Sequence, residues 1–310
     1  MTTDLARFGL AVGHATDTAG ATGCTVVRGI DAPHRAAVAV LGRATGSREL
    51  ALLEPGHLVE RVDAVFLTGG SAYGLDATAG VMRWMEERRR GFAVGPGVVP
   101  IVPAAVVFDL LPLGRFDARP TAEMAYAACE AATSQDIAEG SVGAGTGATV
   151  GKLAGPTGLM KGGLGIAVAE GEGCAAAAIA VVNAFGDVRD ASGAIIAGAR
   201  DAQGRFLDSA AAIAKGLPSG GFIAGTNTTL VVVALDAAYS RLELQSIARS
   251  ATAAMHRHIT PAGTASDGDI VFALSPMEGR RAPLAQGEQL AAQALGAAIE
   301  RAVRLATSAV

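Results

Sequence analysis

Three residues in one stretch of this 310-residue sequence could carry out nucleophilic chemistry. Asn227, Thr228 and Thr229 directly precede the apolar run LVVVAL. Three interpretations are open: a turn before a buried strand, a glycosylation acceptor of the Asn-x-Thr pattern, or a peptide bond that the chain cuts in itself. Glycosylation requires secretion, and the N-terminal MTTDLARFGL lacks the basic and apolar regions of a secretory signal.

A cut between Asn227 and Thr228 would give Thr228 a free α-amine. A threonine hydroxyl is a poor nucleophile unless a base takes its proton, and an N-terminal threonine carries that base as its own amine. With a pKa of about 7.7–8.0, this amine is partly neutral at physiological pH. This hypothesis predicts one domain of residues 1–310 that matures into a large chain, 1–227, and a small chain, 228–310.

Two carboxylates surround a glycine in the segment SDGDI, just before an apolar run. Asp267 and Asp269 are typical of a turn, since Asp and Gly are both turn formers. They could equally form a carboxylate pair that orients or polarises a nucleophile. A calcium loop would need a longer series of ligands ending in Glu, which does not follow here.

Lys152 lies in the glycine-rich segment 139–155. A phosphate-binding loop would need Ser or Thr after the lysine, but Leu153 follows, and the dinucleotide-binding glycine pattern fails at Val150. We therefore do not expect nucleotide binding. Lys152 is either a surface lysine or a cation that meets a substrate carbonyl.

Tyr73 lies in GGSAYGL, where a strand turns sharply into a helix. The segment lacks the second glycine of a nucleophile elbow, which makes a serine hydrolase site at Ser71 a weak hypothesis. The Tyr73 hydroxyl could donate to an oxyanion or be structural. His256 and His258 are two residues apart and do not share a helix face, so they do not predict a metal site.

Lysine and asparagine are scarce in this chain. The scarcity itself suggests that those present are retained for a purpose; they are Lys152, Lys161, Lys215, Asn183 and Asn227.

Composition excludes several classes of protein. Half of the residues are hydrophobic, enough for a large core, and the net charge of −4 argues against a nucleic-acid partner. The sequence contains no uninterrupted apolar run of 18 residues, so no transmembrane helix is predicted. The three cysteines fit neither a zinc site nor a disulfide framework. We expect a cytoplasmic protein that binds no membrane and needs no metal or cofactor.

The elements that must position these residues follow from hydrophobic periodicity and from capping signals. Strands and helices mix without regular alternation, which favours a layered α+β fold. Helices are predicted at 75–90, 121–133, 240–259 and 287–306. Strands are predicted at 61–70, 104–110, 164–171, 174–188 and 229–237, with a further strand ending the segment 260–276. A loop with a short helix is predicted at 190–222.

Seven segments, spread in order along the chain, together resemble the L-aminopeptidase/D-esterase (DmpA-type) peptidase family. The resemblance is greatest to its 6-aminohexanoate-oligomer hydrolase branch. The aminopeptidase branch usually has a serine nucleophile and a Ser-x-Glu pair, whereas this chain has Thr228 and the pair Asp267 and Asp269. The segments are GLAVGHATDTAGATGCTVV, LTGGSAYGLDA, GVVPIVPAAVVFDL, GAGTGATVGKL, AVVNAFGDV, GTNTTLVVVALDA and DGDIVFAL.

This resemblance implies a four-layer αββα sandwich similar to N-terminal nucleophile hydrolases, and often a tetramer of self-cleaved heterodimers. Position by position, it implies that Thr228 is the nucleophile after Asn227 and that two aspartates support it. It further implies that a lysine, an asparagine and a tyrosine contact substrate or oxyanion. These supporting residues are Asp267, Asp269, Lys152, Asn183 and Tyr73.

The expected function is therefore hydrolysis of amide bonds in small peptides or amino-acid-like oligomers through an acyl-threonine intermediate. Two alternatives stay open. One is a binding or assembly protein of the same fold that never cuts itself. The other is an acyltransferase that uses the same threonine, similar to ornithine acetyltransferases.

Overall fold

The computed structural model describes residues 4–217 and 225–307. Two large β-sheets dominate this part of the chain. The first sheet has the strand order β1-β2-β6-β9-β4. Its strands are β1 (Leu10–Asp17), β2 (Thr22–Gly29), β4 (Ser47–Arg48), β6 (Ala64–Thr68) and β9 (Ala104–Val106).

The second sheet has the strand order β12-β13-β16-β18-β3-β5. Its central strands β16 and β18 run parallel, and β13 pairs antiparallel with β16. The strands are β3 (His34–Val40), β5 (Arg61–Val62), β12 (Gly163–Gly171), β13 (Cys174–Asn183), β16 (Thr228–Leu235) and β18 (Ile270–Pro276).

Three smaller sheets connect these elements. They are formed by β7 (Phe92–Val94) with β8 (Gly97–Val99), by β10 (Thr149–Val150) with β11 (Met160–Lys161), and by β14 (Asp187–Arg189) between β15 (Ile195–Ala197) and β17 (Ile259–Thr260).

The α-helices of the described residues cover the outer faces of the two large sheets, apart from the short α3. They are α1 (Thr78–Glu87), α2 (Ala122–Glu130), α3 (Ser209–Ala214), α4 (Arg241–His258) and α5 (Leu284–Arg304). Ser240 begins α4 with a capping box, in which its hydroxyl and the Glu243 carboxylate satisfy free N–H groups of the first turn. Thr121 caps α2 in a similar way through its hydroxyl.

Side chains that alternate along each strand divide the core into three layers. In β16, Val231 and Val233 face α4 and α5, whereas Leu230 and Val232 face the first sheet. In β2, Val26 faces α1 and α2, whereas Val27 faces the second sheet. Because strand side chains point to opposite faces with a period of two, both sheets are buried on both faces. The fold is the predicted four-layer αββα sandwich.

Most of the predicted helices and strands are present, with shifted ends. The single strand predicted at 61–70 is wrong, because this segment forms β5 in the second sheet and β6 in the first. The helix predicted at 75–90 consists of a 3₁₀ segment, Ser71–Ala77, followed by α1, and the strand predicted at 104–110 ends at Val106. The strand predicted at 174–188 is interrupted after Asn183. Residues 218–222 of the predicted loop lie outside the described residues.

Candidate active site

Thr228 is the first residue of β16, at the centre of the second sheet. Its side chain is buried, and its cross-strand partner on β13 is Asn183. Residues directly opposite each other on antiparallel strands project to the same face. The sheet register therefore brings the threonine of the Asn-Thr-Thr stretch beside one of the two asparagines.

The carbonyl group of Asn227 accepts two hydrogen bonds. The Thr228 hydroxyl donates to the Asn227 oxygen at 2.6 Å, and the Gly268 backbone N–H donates to the same oxygen at 2.8 Å. An isolated parallel bridge pairs Asn227 with Asp267. The peptide group between Asn227 and Thr228 is thus held at its oxygen while the hydroxyl that could attack it lies alongside.

Asp269 anchors the start of β16. One carboxylate oxygen accepts from the Thr229 N–H at 2.6 Å, and the other accepts from the Gly263 N–H at 2.9 Å. Burial, reinforced by the nearby Asp267 carboxylate, raises the pKa of Asp269 to about 7, and the hydrogen bonds from Thr229 and Gly263 oppose this rise.

Asp267 is also buried, and one of its carboxylate oxygens accepts from the Thr264 N–H at 2.8 Å. Burial raises its pKa, while hydrogen bonds from Thr264 and the charge of Lys152 lower it. Among the residues that the structure describes, the Asp267 Oδ1 and Asn227 Oδ1 atoms have no hydrogen-bond partner. Both oxygens are buried, and they belong to the two residues that the isolated bridge pairs.

Lys152 is fully buried, so the surface-lysine alternative is wrong. Its ammonium group donates to the Asn183 side-chain oxygen at 2.9 Å and to the backbone oxygens of Asn183 and Thr226, each at 3.1 Å. Burial lowers its pKa to about 7, and the charges of Asp267 and Asp269 act in the opposite direction.

The local backbone explains how a lysine in a glycine-rich segment becomes buried. Gly151 adopts a left-handed conformation with a φ of 68°, which glycine tolerates. The Gly151 N–H donates to the Gly186 backbone oxygen, and the Lys152 N–H donates to the Phe185 backbone oxygen. A side chain on Gly151 would lie 2.0 Å from the backbone of Gly198, so this close approach requires glycine.

Asn183 connects three segments of the chain. Its side-chain oxygen accepts from the Thr149 N–H at 3.0 Å, and its amide nitrogen donates to the backbone oxygens of Phe108 and Thr226. Together with Lys152, it holds the residue that precedes Asn227. The structure therefore brings together all the predicted site residues except Tyr73.

Tyr73 lies apart from this buried cluster and is 51% exposed. The guanidinium group of Arg119 lies 3.5 Å from the centre of its ring. No hydrogen bond joins its hydroxyl to the cluster within the described residues. Its turn is unusual, because Ser71 has a φ of 52°. The Ser71 N–H donates to the Val107 oxygen, and the Asn183 amide donates to the oxygen of the next residue, Phe108.

Two buried charged residues were not assigned a contact or a role from the sequence, although Lys161 was noted as one of the few lysines. Asp109 accepts from the Gly70 N–H and from the Thr22 hydroxyl, each at 2.7 Å, and burial raises its pKa to about 6. Lys161 donates to three backbone oxygens, and burial lowers its pKa to about 7. The available signal for Asp109 was its position near the end of the apolar run AAVVFDL.

A third omission is Gly268, whose contribution comes from its backbone. His256 and His258 lie in the last turn of α4. Across residues 4–217 and 225–307, no three His, Cys, Asp or Glu side chains are grouped so that they could hold a metal ion.

Comparison with known proteins decides the family. The model of peptidase family S58 matches residues 2–310. The chain belongs to peptidase family S58. An uncharacterized aminopeptidase of Mycobacterium tuberculosis is 47% identical over an alignment of 248 residues, and the match covers 77% of this chain and 69% of that protein. A 6-aminohexanoate-oligomer endohydrolase of Kocuria sp. is 33% identical over an alignment of 283 residues, and the match covers 87% of this chain and 74% of that protein.

Two solved structures share the fold of this S58 peptidase. The L-aminopeptidase D-Ala-esterase/amidase of Ochrobactrum anthropi, described as a new variant of the Ntn hydrolase fold, superposes with a TM-score of 0.72 at 21% identity. A β-aminopeptidase of Burkholderia sp. superposes with a TM-score of 0.69, also at 21% identity. Each match covers 96% of this chain, and 84% and 85% of those chains respectively.

The family assignment makes this chain a hydrolase of amide bonds and confirms the resemblance inferred from its motifs. In the described residues, no helix is long and apolar enough to span a membrane.

Proposed function

We propose that this S58 peptidase cuts its own chain between Asn227 and Thr228 and then uses Thr228 as an N-terminal nucleophile. The observation that carries this proposal is the 2.6 Å contact between the Thr228 hydroxyl and the Asn227 carbonyl oxygen. An internal threonine lacks a free amine, so its first reaction must be with a neighbouring carbonyl.

In the released small chain, the α-amine of Thr228 is the general base that takes the hydroxyl proton. It then returns a proton to the leaving amine of the substrate. Asp269 holds the next residue, Thr229, by its backbone N–H, and Asp267 pairs with Asn227 through the isolated bridge. These contacts support an orienting role for both aspartates.

Lys152 and Asn183 are proposed to stabilise the oxyanion that forms during attack on a substrate. Donors fixed in a water-poor site lower the energy of such an oxyanion more than donors in water. The burial of both residues and their shared hydrogen bond support this role. Tyr73, on an exposed turn, is proposed to contact the substrate.

We propose that the substrates are small peptides or oligomers of amino-acid-like units. The two kinds of relative support this class, since one is named as an aminopeptidase and the other as an endohydrolase of 6-aminohexanoate oligomers. The reaction is proposed to need no cofactor, and the cut protein is proposed to assemble as a tetramer of heterodimers.

The intact mass of the purified protein under denaturing conditions tests the proposal. Self-cleavage at Asn227 gives two species of about 23 and about 8 kDa, scaled by length from 30.9 kDa, and the smaller one begins TTLVVV. The Thr228→Ala variant should stay uncut and inactive. A wild-type protein that remains one chain after long incubation would instead favour the non-cutting binding protein.

Transfer of the acyl group to an amine, rather than to water, is the remaining alternative. Turnover in the presence of an added amino acid separates the two reactions. A hydrolase gives the free acid at a rate that the amino acid does not change, whereas a transferase gives a new amide.

A further inference from the structure

Gly268 places its backbone N–H on the carbonyl group that would be attacked during self-cleavage. The N–H of Gly268 and the hydroxyl of Thr228 both donate to the Asn227 oxygen, at 2.8 and 2.6 Å. A donor at 2.7–3.1 Å from a developing oxyanion is the usual geometry for its stabilisation. Of these two donors, only the N–H keeps its proton when the hydroxyl attacks.

The backbone around Gly268 is fixed from both sides. The Ala44 N–H donates to the Asp267 oxygen and the Leu41 N–H donates to the Asp269 oxygen, each at 3.0 Å. The carboxylates of the same two aspartates bind backbone N–H groups on their other sides. A donor held in this way needs little reorganisation when charge develops, which is the condition for effective stabilisation.

A side chain at this position would disturb the attacking group. A Cβ atom on Gly268 would lie 2.7 Å from the Thr228 hydroxyl oxygen and 2.7 Å from the Ala44 backbone oxygen. Real Cβ contacts are longer than 3.0 Å, so one of these atoms would have to move. Glycine therefore lets the N–H and the hydroxyl approach the same carbonyl together.

We propose that the Gly268 N–H is the oxyanion donor for self-cleavage, an inference that rests on the proposed function. The Thr228 Oγ1 bonds to the Asn227 carbonyl carbon, whose oxygen becomes an oxyanion bound by Gly268. When the carbonyl re-forms, the carbon–nitrogen bond breaks, and the hydroxyl proton ends on the Thr228 nitrogen. Water then hydrolyses the resulting ester to a carboxylate on Asn227 and a free Thr228.

The test replaces Gly268 by glycolic acid during cell-free synthesis of the full chain. The resulting ester removes the N–H and adds no side chain. Self-cleavage, followed by intact mass, should slow about 10²- to 10³-fold, the range seen when one oxyanion donor is removed. Cutting at the wild-type rate would overturn the inference while leaving the proposed function standing.

A second ester serves as the matched control. The ester at 268 also weakens the Asp267 oxygen as an acceptor for the Ala44 N–H, so a chain with lactic acid at position 44 removes that bond alone. This chain should slow by less than tenfold. An equal loss in both chains would assign the effect to the backbone frame and overturn the role of the Gly268 N–H.

Hydrogen exchange tests the contact without the ester. In the Thr228→Ala chain, which cannot cut, the Gly268 amide should exchange slowly because it is bound to the Asn227 oxygen. In the cut wild-type protein the same amide should exchange at least tenfold faster. A Gly268 amide that exchanges freely in the uncut chain would contradict the inference even if the ester variant does not fold. A wild-type chain that never cuts would instead overturn the proposed function.

Discussion

The ammonium group of Lys152 donates a hydrogen bond of 2.9 Å to the side-chain oxygen of Asn183, the last residue of β13. Asn183 ends β13 directly opposite Thr228, and the same ammonium reaches the Thr226 backbone oxygen two residues before the proposed nucleophile. One buried cation therefore holds both the partner strand and the segment that leads into the proposed cut.

Replacing Lys152 by Met should destabilise the chain and slow its self-cleavage. The change removes three hydrogen bonds, and each hydrogen bond contributes about 0.5–1.5 kcal/mol. Two of the acceptors keep another donor, because the Asn183 side-chain oxygen still accepts from the Thr149 N–H and the Thr226 oxygen from the Asn183 amide. The free energy of unfolding in urea should therefore fall by at least about 1 kcal/mol. The measurement uses the Thr228→Ala background, so that cutting does not alter the chain during unfolding.

Lys215 provides the control for this prediction, because it is exposed at the end of α3. Lys215→Met should change the free energy of unfolding by less than about 0.5 kcal/mol, as is usual for surface substitutions. If both variants behave alike, the Lys152 ammonium contributes nothing specific to the site.

The rate of self-cleavage should increase as the pH rises through about 7. Burial and the nearby Asp267 carboxylate raise the pKa of Asp269 to about 7, so below this pH the carboxyl group is mostly protonated. The ionised form accepts from the Thr229 and Gly263 N–H groups with two charged oxygens, whereas protonation turns one of these oxygens into an O–H donor and a weaker acceptor. Denatured chain refolded into buffers of different pH, with intact mass recorded over time, gives the profile.

Asp269→Asn supplies the comparison for this profile. Its amide must turn an NH₂ group toward one of the two backbone donors, so cutting should be slower and the rise in its rate through pH 7 should disappear. Any remaining dependence on pH near 7 should have the opposite sign, since the pKa of Lys152 is also about 7. The melting temperature, measured alongside, separates slow cutting from failure to fold. A rate with the same pH profile in both chains would rule out ionisation of Asp269 as its origin.

Tyr73→Phe should leave self-cleavage unchanged and lower the rate of substrate turnover. The Tyr73 hydroxyl makes no hydrogen bond to the buried cluster among the described residues, and the side chain is half-exposed on its turn. If the Tyr73 hydroxyl contacts only the substrate, its loss should lower kcat/KM for the substrate and leave the rate of self-cleavage unchanged. Tyr126→Phe is the matched control, since the Tyr126 hydroxyl binds Glu87 on the surface. Slower cutting in the Tyr73 variant would contradict this separation.

The order of the elements could be predicted from periodicity, but the site required long-range information. The run that begins at Thr228 and the helix that begins after Ser240 carry their own local signals, an apolar run and a capping box. The pairing of Asn183 with Thr228 depends on strand register, which no local pattern contains. The resemblance to known peptidases supplied that information.

The burial of Lys152 and the backbone contribution of Gly268 escaped prediction, although the resemblance had placed Lys152 in the site. The sequence around Lys152 fits a surface loop, and only the packing of Gly151 against Gly198 places that lysine inside. Gly268 contributes an N–H group, which every non-proline residue has, so its residue type carries no functional signal. Its position between two aspartates indicated a turn and nothing more.

Asp109→Asn should remove one source of pH dependence from the stability of the fold. Burial raises the pKa of Asp109 from 3.8 to about 6, so the unfolded chain releases this proton at a lower pH than the folded chain. The protonated carboxyl therefore favours folding at acid pH, and this contribution is lost as the pH rises through about 6. In the Thr228→Ala background, the loss between pH 4 and pH 7 should be on the order of 2 kcal/mol.

The asparagine variant should fold, because its side-chain oxygen can accept from the Gly70 N–H while its NH₂ group donates to the Thr22 hydroxyl in place of the present bond. Since asparagine does not titrate, its free energy of unfolding should decline less between pH 4 and pH 7, and the two urea titration series should converge at low pH. Parallel series would mean that Asp109 is charged in the folded chain throughout this range. The turn that carries Tyr73 would then be held by a carboxylate that stays ionised even at pH 4.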